Sequence, residues 1–349
     1  MYKILFSAAV SALFLMSVQA QTAFTDKIST HFQLTSIMQG HPAFSASNIG
    51  QNSLSSNKQQ ALSLTSTLFL GTKLWKGASI YFNPEVAGGR GIGSALGIAG
   101  FTNGECFRIG NPEPALYVAR AYFKQHIALS PEMVKAVDAA NQVAEDLPIK
   151  RITITAGKFS IADIFDNNGY SHDPRGQFMN WSLMSNGAWD YAANTRGYTY
   201  GTAIEYISSK YAARVAGTLV PLVANGPDMD WNISKVNSLT LELQRNFEIN
   251  GKPLIIRALV FNNTSRAGNY KNVVAQFKQT GDSAKLEVNK LVAYNSAVKY
   301  GYGLNIEQQL SDNIGWFGRA SWNDGQTATW AFTEIDESYS VGTNIKGAF

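Results

Sequence analysis

Apolar and polar residues alternate one by one in segments of about ten residues along most of the chain. Leu62, Leu64 and Leu68 fall on one face of such a segment, while Ser63 and Thr65 fall on the other. Because successive side chains of a β-strand point to opposite faces, each segment predicts a strand with one apolar face and one polar face. About twelve segments follow this pattern, and they begin near Ile28, Leu62, Ser79, Ala115, Lys150, Tyr198, Tyr211, Ser238, Pro253, Lys299, Ile314 and Ile335. The predicted fold class is therefore all-β and antiparallel.

The connections between the predicted strands alternate between short and long. Asn250-Gly251 is a two-residue hairpin signal, and residues 76–77, 209–210 and 311–313 form similarly short links. The other connections are long and irregular, at residues 40–61, 88–114, 162–197, 223–236 and 263–298. Short turns at one end and long loops at the other are typical of an outer-membrane β-barrel.

One connection on the short-turn side is different. Within residues 131–147, a helical spacing follows a Ser-Pro-Glu start, and it is kept by Met133, Val134, Val137, Ala140 and Ala144. This pattern predicts a short helical insertion near 131–147.

The first twenty residues have the three parts of a secretory signal peptide. Lys3 precedes an apolar run over residues 4–18, and the small residue Ala20 ends the segment. The sequence therefore predicts a signal peptide at 1–20 and a β-barrel domain at 21–349, with an uncleaved N-terminal anchor as the alternative. No later stretch approaches the roughly 18 consecutive apolar residues of a membrane-spanning helix.

Charge is scarce, and on the predicted strands it lies mostly on the polar face. Asp, Glu, Lys and Arg make up 15% of the chain, against about 25% in ordinary soluble domains. The strand residues concerned are Glu85, Lys124, Arg151, Glu205, Arg214, Glu242, Arg257, Glu307 and Arg319. A lipid-facing Arg or Lys near the bilayer centre costs about 2–4 kcal/mol, so a barrel requires this placement. A soluble β-sandwich would also turn these charges to water, so it stays open at this point.

Strand length and aromatic residues favour the barrel. Spanning strands need about 9–11 residues, whereas sandwich strands usually have about five or six. Aromatic residues that we predict to form the girdles at the membrane interfaces lie near strand ends, at Trp75, Tyr81, Tyr198, Tyr200, Trp316 and Trp322. Lys158 and Arg245 share the apolar face, and either snorkelling or a β-bulge would accommodate them.

The motifs of enzymes are absent from the sequence. There is no His-Glu-x-x-His, no P-loop, no Gly-x-Ser-x-Gly and no Cys/His cluster, so we expect no enzymatic activity, metal or cofactor. The sequence has no Lys/Arg cluster that would indicate nucleic-acid binding. The charged residues of the polar face change sign from strand to strand, so we expect them to line a polar lumen as candidates for contact with a solute. Rings of one charge sign select ions, whereas mixed charges beside aromatic faces suit neutral polyhydroxylated solutes.

Several stretches of the chain resemble the carbohydrate-selective porins, the OprB-like family of bacterial outer-membrane channels. The shared motifs are QGHPAF at 39–44, TLFLG at 67–71, NPE at 83–85, AGFTNGE at 99–105, GWFGR at 315–319 and WNDG at 322–325. The longest similar run combines AGKFS at 156–160, FDNN at 165–168, NW at 180–181, GAWDY at 187–191 and TRGY at 195–198.

The resemblance implies an outer-membrane barrel that passes mono- and disaccharides by diffusion, with inward-folded loops and charged residues that narrow the pore. The residues that it implies at the constriction are Glu85, Arg90, Arg120, Asp163, Asp166 and Arg175. The implied partners are small sugars and outer-membrane lipid, and a homo-oligomer is left open.

Family barrels have about sixteen strands, so this chain predicts either a smaller barrel or one that lacks its last strands. The competing hypothesis is a secreted or periplasmic β-rich glycan-binding protein without transport activity.

Overall fold

A computed structural model of the chain describes residues 14–21, 27–50, 53–94, 102–106, 110–286, 288, 292, 294, 297–331 and 334–347. The strands of this described part are β1 Phe14–Gln21, β2 Ile28–His41, β3 Gln59–Trp75, β4 Ala78–Gly89, β5 Ala115–Ala128, β6 Met133–Ala136, β7 Glu145–Pro148, β8 Arg151–Phe159, β9 Thr199–Ile207, β10 Tyr211–Thr218, β11 Asn237–Ile249, β12 Lys252–Ser265, β13 Ala297–Gln309, β14 Ile314–Asn323 and β15 Glu337–Ile345. The α-helices are α1 Trp181–Met184 and α2 Tyr270–Thr280, and 3-10 turns cover Ile161–Asp163 and Ser283–Leu286.

Thirteen strands form one antiparallel sheet in which neighbours in space are neighbours along the chain. Of the strands in the described part, only β6 and β7 stand apart, as a separate two-stranded hairpin. All twelve predicted strands are confirmed, as β2 to β5 and β8 to β15. The additional strand β1 pairs with β2 and lies at the end of the predicted signal peptide, whose first thirteen residues fall outside the described part.

The sheet curves around the chain segment that connects β8 to β9. This segment, residues 160–198, is called the inner loop below. Its Arg175 contacts Gln33 on β2, and its Asp166 contacts Arg319 on β14. Strands near both edges of the sheet therefore contact the same loop, as the strands of a barrel wall would. Among the described strands, β15 pairs with β14 alone, and no pairing closes the sheet.

The burial pattern of the wall is the reverse of that in a soluble protein. Leu239, Leu241 and Leu243 on β11 are exposed, while Thr240 and Glu242 between them are buried. The same reversal recurs on β3 and β13, where buried Ser, Thr, Asn and Lys alternate with exposed Leu and Tyr. A sandwich would bury the leucines in its core, so the pattern fits an apolar exterior that faces lipid and a polar interior. No helix in the described part is long and apolar enough to span a membrane.

Lys158 and Arg245 do point outward, as their sequence position indicates. Lys158 lies at the end of β8 with its ammonium 5.4 Å from the centre of the Tyr200 ring. Arg245 lies 3.9 Å from the centre of the Tyr211 ring, near the turn between β9 and β10. Both charges therefore sit over aromatic rings near strand ends, which is the snorkelling arrangement.

The girdle prediction is wrong for two of its six residues. Tyr81 and Tyr198 are buried inside the sheet, whereas Trp75 is exposed on the outside. Tyr81 lies two residues from both Ser79 and Asn83 on β4, so its side chain points to the same inner face, and Tyr198 belongs to the inner loop. Nearness to a strand end therefore does not reveal which face an aromatic residue occupies.

The predicted helix at 131–147 is also wrong. The segment forms the hairpin of β6 and β7, in which Met133 pairs with Pro148 and Ala136 with Glu145. Its tip turns at Asn141, which has a left-handed φ of 59°. That backbone conformation interrupts a helix, and Asn adopts it more readily than most residues. Two of the residues in the helical spacing, Ala140 and Ala144, are alanines, which offer little apolar surface to hold a helix against the wall.

Candidate functional site

The inner loop is fixed to the wall through Asp166. This residue is 0% exposed and has a φ of 55°. Its carboxylate accepts hydrogen bonds from the Asn186 backbone N–H at 2.5 Å, from Asn305 Nδ2 at 2.6 Å and from Arg319 Nε at 3.2 Å. The FDNN stretch therefore forms a tight turn whose charged side chain points at β13 and β14.

Arg319 of β14 is a partner of Asp166 on the wall, and the contacts of these two residues are called the anchor below. Its guanidinium donates to Ser171 Oγ at 2.5 Å, to the Leu183 carbonyl at 2.8 Å and to the Met184 carbonyl at 3.1 Å. A buried guanidinium needs this many acceptors, because an uncompensated buried charge is very costly. The anchor therefore ties two parts of the inner loop to one residue of β14.

Two further acidic residues of the wall serve the same anchor, and each is paired with an arginine. Glu242 accepts from the Asp166 backbone N–H at 2.6 Å and from Arg214 at 2.7 Å. Glu307 accepts from the Gly169 backbone N–H and from Arg257 at 3.2 Å. Arg214 and Arg257 thus neutralise these two carboxylates, which are buried against the inner loop.

The opposite side of the inner loop leaves a cavity of about 430 Å³ against β2 to β5. Within it, Arg120 of β5 donates two hydrogen bonds to Asp163, at 2.7 and 2.6 Å. Burial raises the pKa of Asp163, but the adjacent Arg120 outweighs burial and holds this pKa below its usual range. The pair therefore remains charged at neutral pH and places a donor fork beside an acceptor.

A second polar group in this cavity is Glu85 of β4. It accepts from Thr67 Oγ1 at 2.5 Å, from the Tyr117 hydroxyl and from the Tyr198 hydroxyl at 3.4 Å. The rings of Tyr117 and Tyr198 lie 6.2 Å apart, and the Arg196 guanidinium is 4.1 Å from the centre of the Tyr117 ring. The cavity thus combines charged groups with aromatic faces.

Toward the long loops, the cavity is bordered by Arg175 and Glu105. Arg175 Nη2 lies 2.6 Å from a Glu105 oxygen, so this pair ties the inner loop to the loop between β4 and β5. Cys106 also lines the cavity, and burial raises the pKa of its thiol to about 11. The thiol is therefore protonated at neutral pH and is a poor nucleophile.

A second cavity of about 370 Å³ continues toward the short turns. Its wall carries Lys124, Glu205 and Arg214, and Arg214 Nε donates to Glu205 at 2.9 Å. Both cavities are lined by Ala140, Asn141, Asp163 and His172. Burial lowers the pKa of His172, so that this shared ring is neutral at pH 7. The two cavities are thus adjacent, between the inner loop and the wall, and together they are called the passage below.

The structure divides the predicted site residues into three groups. Those that line the passage are Glu85, Arg120, Lys124, Asp163, Arg175, Glu205 and Arg214. Those that anchor the inner loop and line neither cavity are Asp166, Glu242, Arg257, Glu307 and Arg319. Arg90 and Arg151 also line neither cavity and donate to backbone carbonyls, of Gly110 at 2.8 Å and Pro148 at 2.9 Å. The pore-lining role of these seven residues stays a prediction, and for the five that lie on strands, inward parity does not distinguish a lumen from a buried contact.

Sequence reasoning missed Tyr117, Tyr198, Glu105, Arg196 and His172, all of which line the first cavity. Glu105 and the Arg196/Tyr198 pair lie in the AGFTNGE and TRGY stretches, which could have pointed to them. Within the described residues, no group of three or more His, Cys, Asp or Glu side chains is placed to hold a metal ion.

An antiparallel wall with an apolar exterior, a charged interior and an inward-folded loop defines the class of outer-membrane porins. Within that class, the model of the carbohydrate-selective porin, OprB family, matches residues 51–349, and the chain belongs to this family.

A solved structure titled "High pH structure of Pseudomonas putida OprB" shares the fold. Its TM-score is 0.64 at 16% sequence identity, and the match covers 93% of this chain and 72% of that chain. A search of the curated proteins found no match.

Proposed function

We propose that this protein is an outer-membrane channel through which neutral mono- and disaccharides diffuse passively, along the passage between the inner loop and β2 to β10. The observation that carries the proposal is the lining of the passage: paired charges stand beside aromatic rings. Sugar hydroxyls both donate and accept hydrogen bonds, and the apolar faces of sugar rings pack on aromatic side chains. Arg120 beside Asp163 and Tyr117 beside Tyr198 offer both kinds of contact.

The balance of charge supports a neutral solute. Along the first cavity the cations Arg120, Arg175 and Arg196 face the anions Glu85, Glu105, Asp163 and Asp173. In the second cavity, Lys124 and Arg214 face Asp163 and Glu205. Neither part is a ring of one sign, which would favour ions of the opposite sign.

The same features favour a channel over an enzyme or a soluble glycan-binding protein. A soluble protein with its leucines outside and its charges inside would expose an apolar surface far larger than monomers tolerate. We also propose that residues 1–20 are removed on export, which would leave β2 as the first strand of the mature wall. Cell fractionation tests the proposed outer-membrane location: the protein should sediment with the outer membrane and show heat-modifiable migration.

Liposome swelling tests the transport itself. Liposomes that contain the purified protein should swell in isotonic monosaccharide, and more slowly in disaccharide, because a larger solute passes a narrow path less often. Empty liposomes give the baseline for each sugar. Swelling no faster than this baseline would refute the proposed function.

A further inference from the structure

The hairpin that connects β5 to β8 folds into the interior of the sheet. It covers residues 129–150, contains β6 and β7, and is called the inner hairpin below. It leaves the wall at the same end as the short turns, yet its tip residues Ala140 and Asn141 line both cavities of the passage. A turn that only joined two strands would need a few residues and no inward projection.

Apolar packing holds the inner hairpin in place. Val143 is buried in the cluster that contains Tyr81 and Tyr122. Gly71 on β3 leaves the space for this contact: a Cβ there would lie 2.9 Å from Tyr81 Cε1 and 3.2 Å from Val143 Cγ1. The wall is therefore shaped to receive this part of the hairpin.

Polar contacts connect the same hairpin to three strands. His31 of β2 lies 3.2 Å from Asp138, and His126 of β5 lies 3.7 Å from Glu145. Asn83 of β4 donates from Nδ2 to Asn141 Oδ1 at 2.8 Å. The position of Asn141 is thus fixed by its partner on the wall, and this contact uses only the oxygen of its amide.

We propose that the inner hairpin is a second selectivity element of the channel, which sets the width and polarity of the passage at the end of the short turns. Asn141 is the residue of this element that contacts the passing sugar. This inference rests on the proposed function. It adds a constriction that the wall residues and the inner loop do not supply.

The first test enlarges the constriction and keeps the backbone conformation of the turn, although it removes the hydrogen bond from Asn83. Asn141→Gly removes the side chain, and glycine adopts the φ of 59° without strain. The variant should raise the ratio of disaccharide to monosaccharide swelling rates. Asn250→Gly is the matched control, because Asn250 has a φ of 51° in the exposed turn between β11 and β12 and lines neither cavity. An unchanged ratio in a heat-modifiable Asn141→Gly variant would overturn the inference.

The second test adds a charge and needs no change in shape. Asn141→Asp keeps an oxygen for the hydrogen bond from Asn83, and Asp also tolerates positive φ. In planar bilayers, the variant should shift the reversal potential toward cation selectivity. The shift should shrink between 0.1 M and 1 M salt, because the screening length falls from about 10 Å to about 3 Å. Asn250→Asp should leave the reversal potential unchanged.

The outcomes separate the inference from the function on which it rests. If the wild-type protein fails to swell liposomes, the proposed function falls. If the wild type transports sugar but Asn141→Asp has the reversal potential of the wild type, the function stands and the role of the inner hairpin is refuted. The charge test also decides the matter if Asn141→Gly does not fold.

Discussion

Asp166→Asn should release the inner loop from the wall. The substitution keeps the size of the side chain, and Asn accepts the φ of 55° found here. Both carboxylate oxygens accept from donors: one from Asn186 Nδ2 and Asn305 Nδ2, the other from the Asn186 backbone N–H. An amide therefore turns an NH₂ group toward at least one donor, and it also removes the charge that faces Arg319.

The magnitude follows from the burial of this pair. Removing one partner of a buried ion pair costs about 3–5 kcal/mol. Arg319 keeps its contacts with Ser171, Leu183 and Met184, so we take the lower end of that range. Because about 1.4 kcal/mol corresponds to a tenfold change, a cost of about 3 kcal/mol raises the open population of the loop about a hundredfold.

Limited trypsin digestion measures that population, since the inner loop carries Arg175 and Arg196. When opening is fast, cleavage follows the open fraction, so the loop of Asp166→Asn should be cut about a hundredfold faster. Asp312→Asn is the control: Asp312 also pairs with a cation, Lys252, but its side chain is 86% exposed. Such surface pairs contribute about 0–1 kcal/mol. Cleavage of Asp166→Asn at the wild-type rate, with the fold intact, would refute the reasoning.

Three other predictions concern the wall and the passage. Leu241→Arg on the outer face should lower the free energy of unfolding in lipid by about 2–4 kcal/mol, measured by urea titration, and an unchanged midpoint would contradict a lipid-facing β11. Gly71→Ala should displace the Tyr81 ring and increase trypsin cleavage of the inner hairpin, whereas wild-type cleavage would show that the close contact is not needed. Because Arg120 holds the pKa of Asp163 below its usual range, the stabilisation by this pair is complete above the ordinary Asp pKa and is lost as pH falls through the lowered value. The difference in unfolding free energy between the wild type and Asp163→Asn should therefore stay constant from pH 7 down to about 4, and a decline already at pH 6 would contradict it.

The wall was predictable from the sequence because its burial pattern has the period of a strand. Every one of the twelve predicted strands is present, and the reversed burial of Leu241 and Glu242 follows directly from the alternation. Side-chain parity is a local property, which a single sequence reveals as long as the register is regular.

The alternation of side chains no longer predicts which residues point inward where the register of two strands shifts. Tyr117 and Arg120 have opposite parity, yet both line the first cavity. The pairing of β4 with β5 shifts between Asn83 and Pro84, where Ala119 is the extra residue. A bulge rotates the following residues to the other face, and proline favours such positions because it lacks a backbone N–H. The Pro84 signal was present in the sequence, but its effect on β5 was not.

The site itself depended on contacts that no local pattern encodes. Arg120 and Arg319 carry the same charge, and both point to the inner face of the sheet. Arg120 nevertheless lines the passage, whereas Arg319 anchors the inner loop. Which role each residue takes depends on the path of the inner loop, which buries Arg319 but leaves a cavity beside Arg120. The helix predicted near 131–147 is wrong for a related reason, because the conformation of the inner hairpin depends on its contacts with Tyr81, Gly71 and Asn83 of the wall.

The central claim is that sugars cross between the inner loop and the wall, and blocking that space tests it most directly. Ala162 lines the first cavity, so Ala162→Cys in a Cys106→Ala background places one thiol in the passage. Val260→Cys, on the exposed face of β12, is the control. After complete reaction with a bulky maleimide, liposomes with the Ala162→Cys protein should lose monosaccharide swelling, while those with Val260→Cys should keep it. Undiminished swelling after modification at residue 162 would contradict the account.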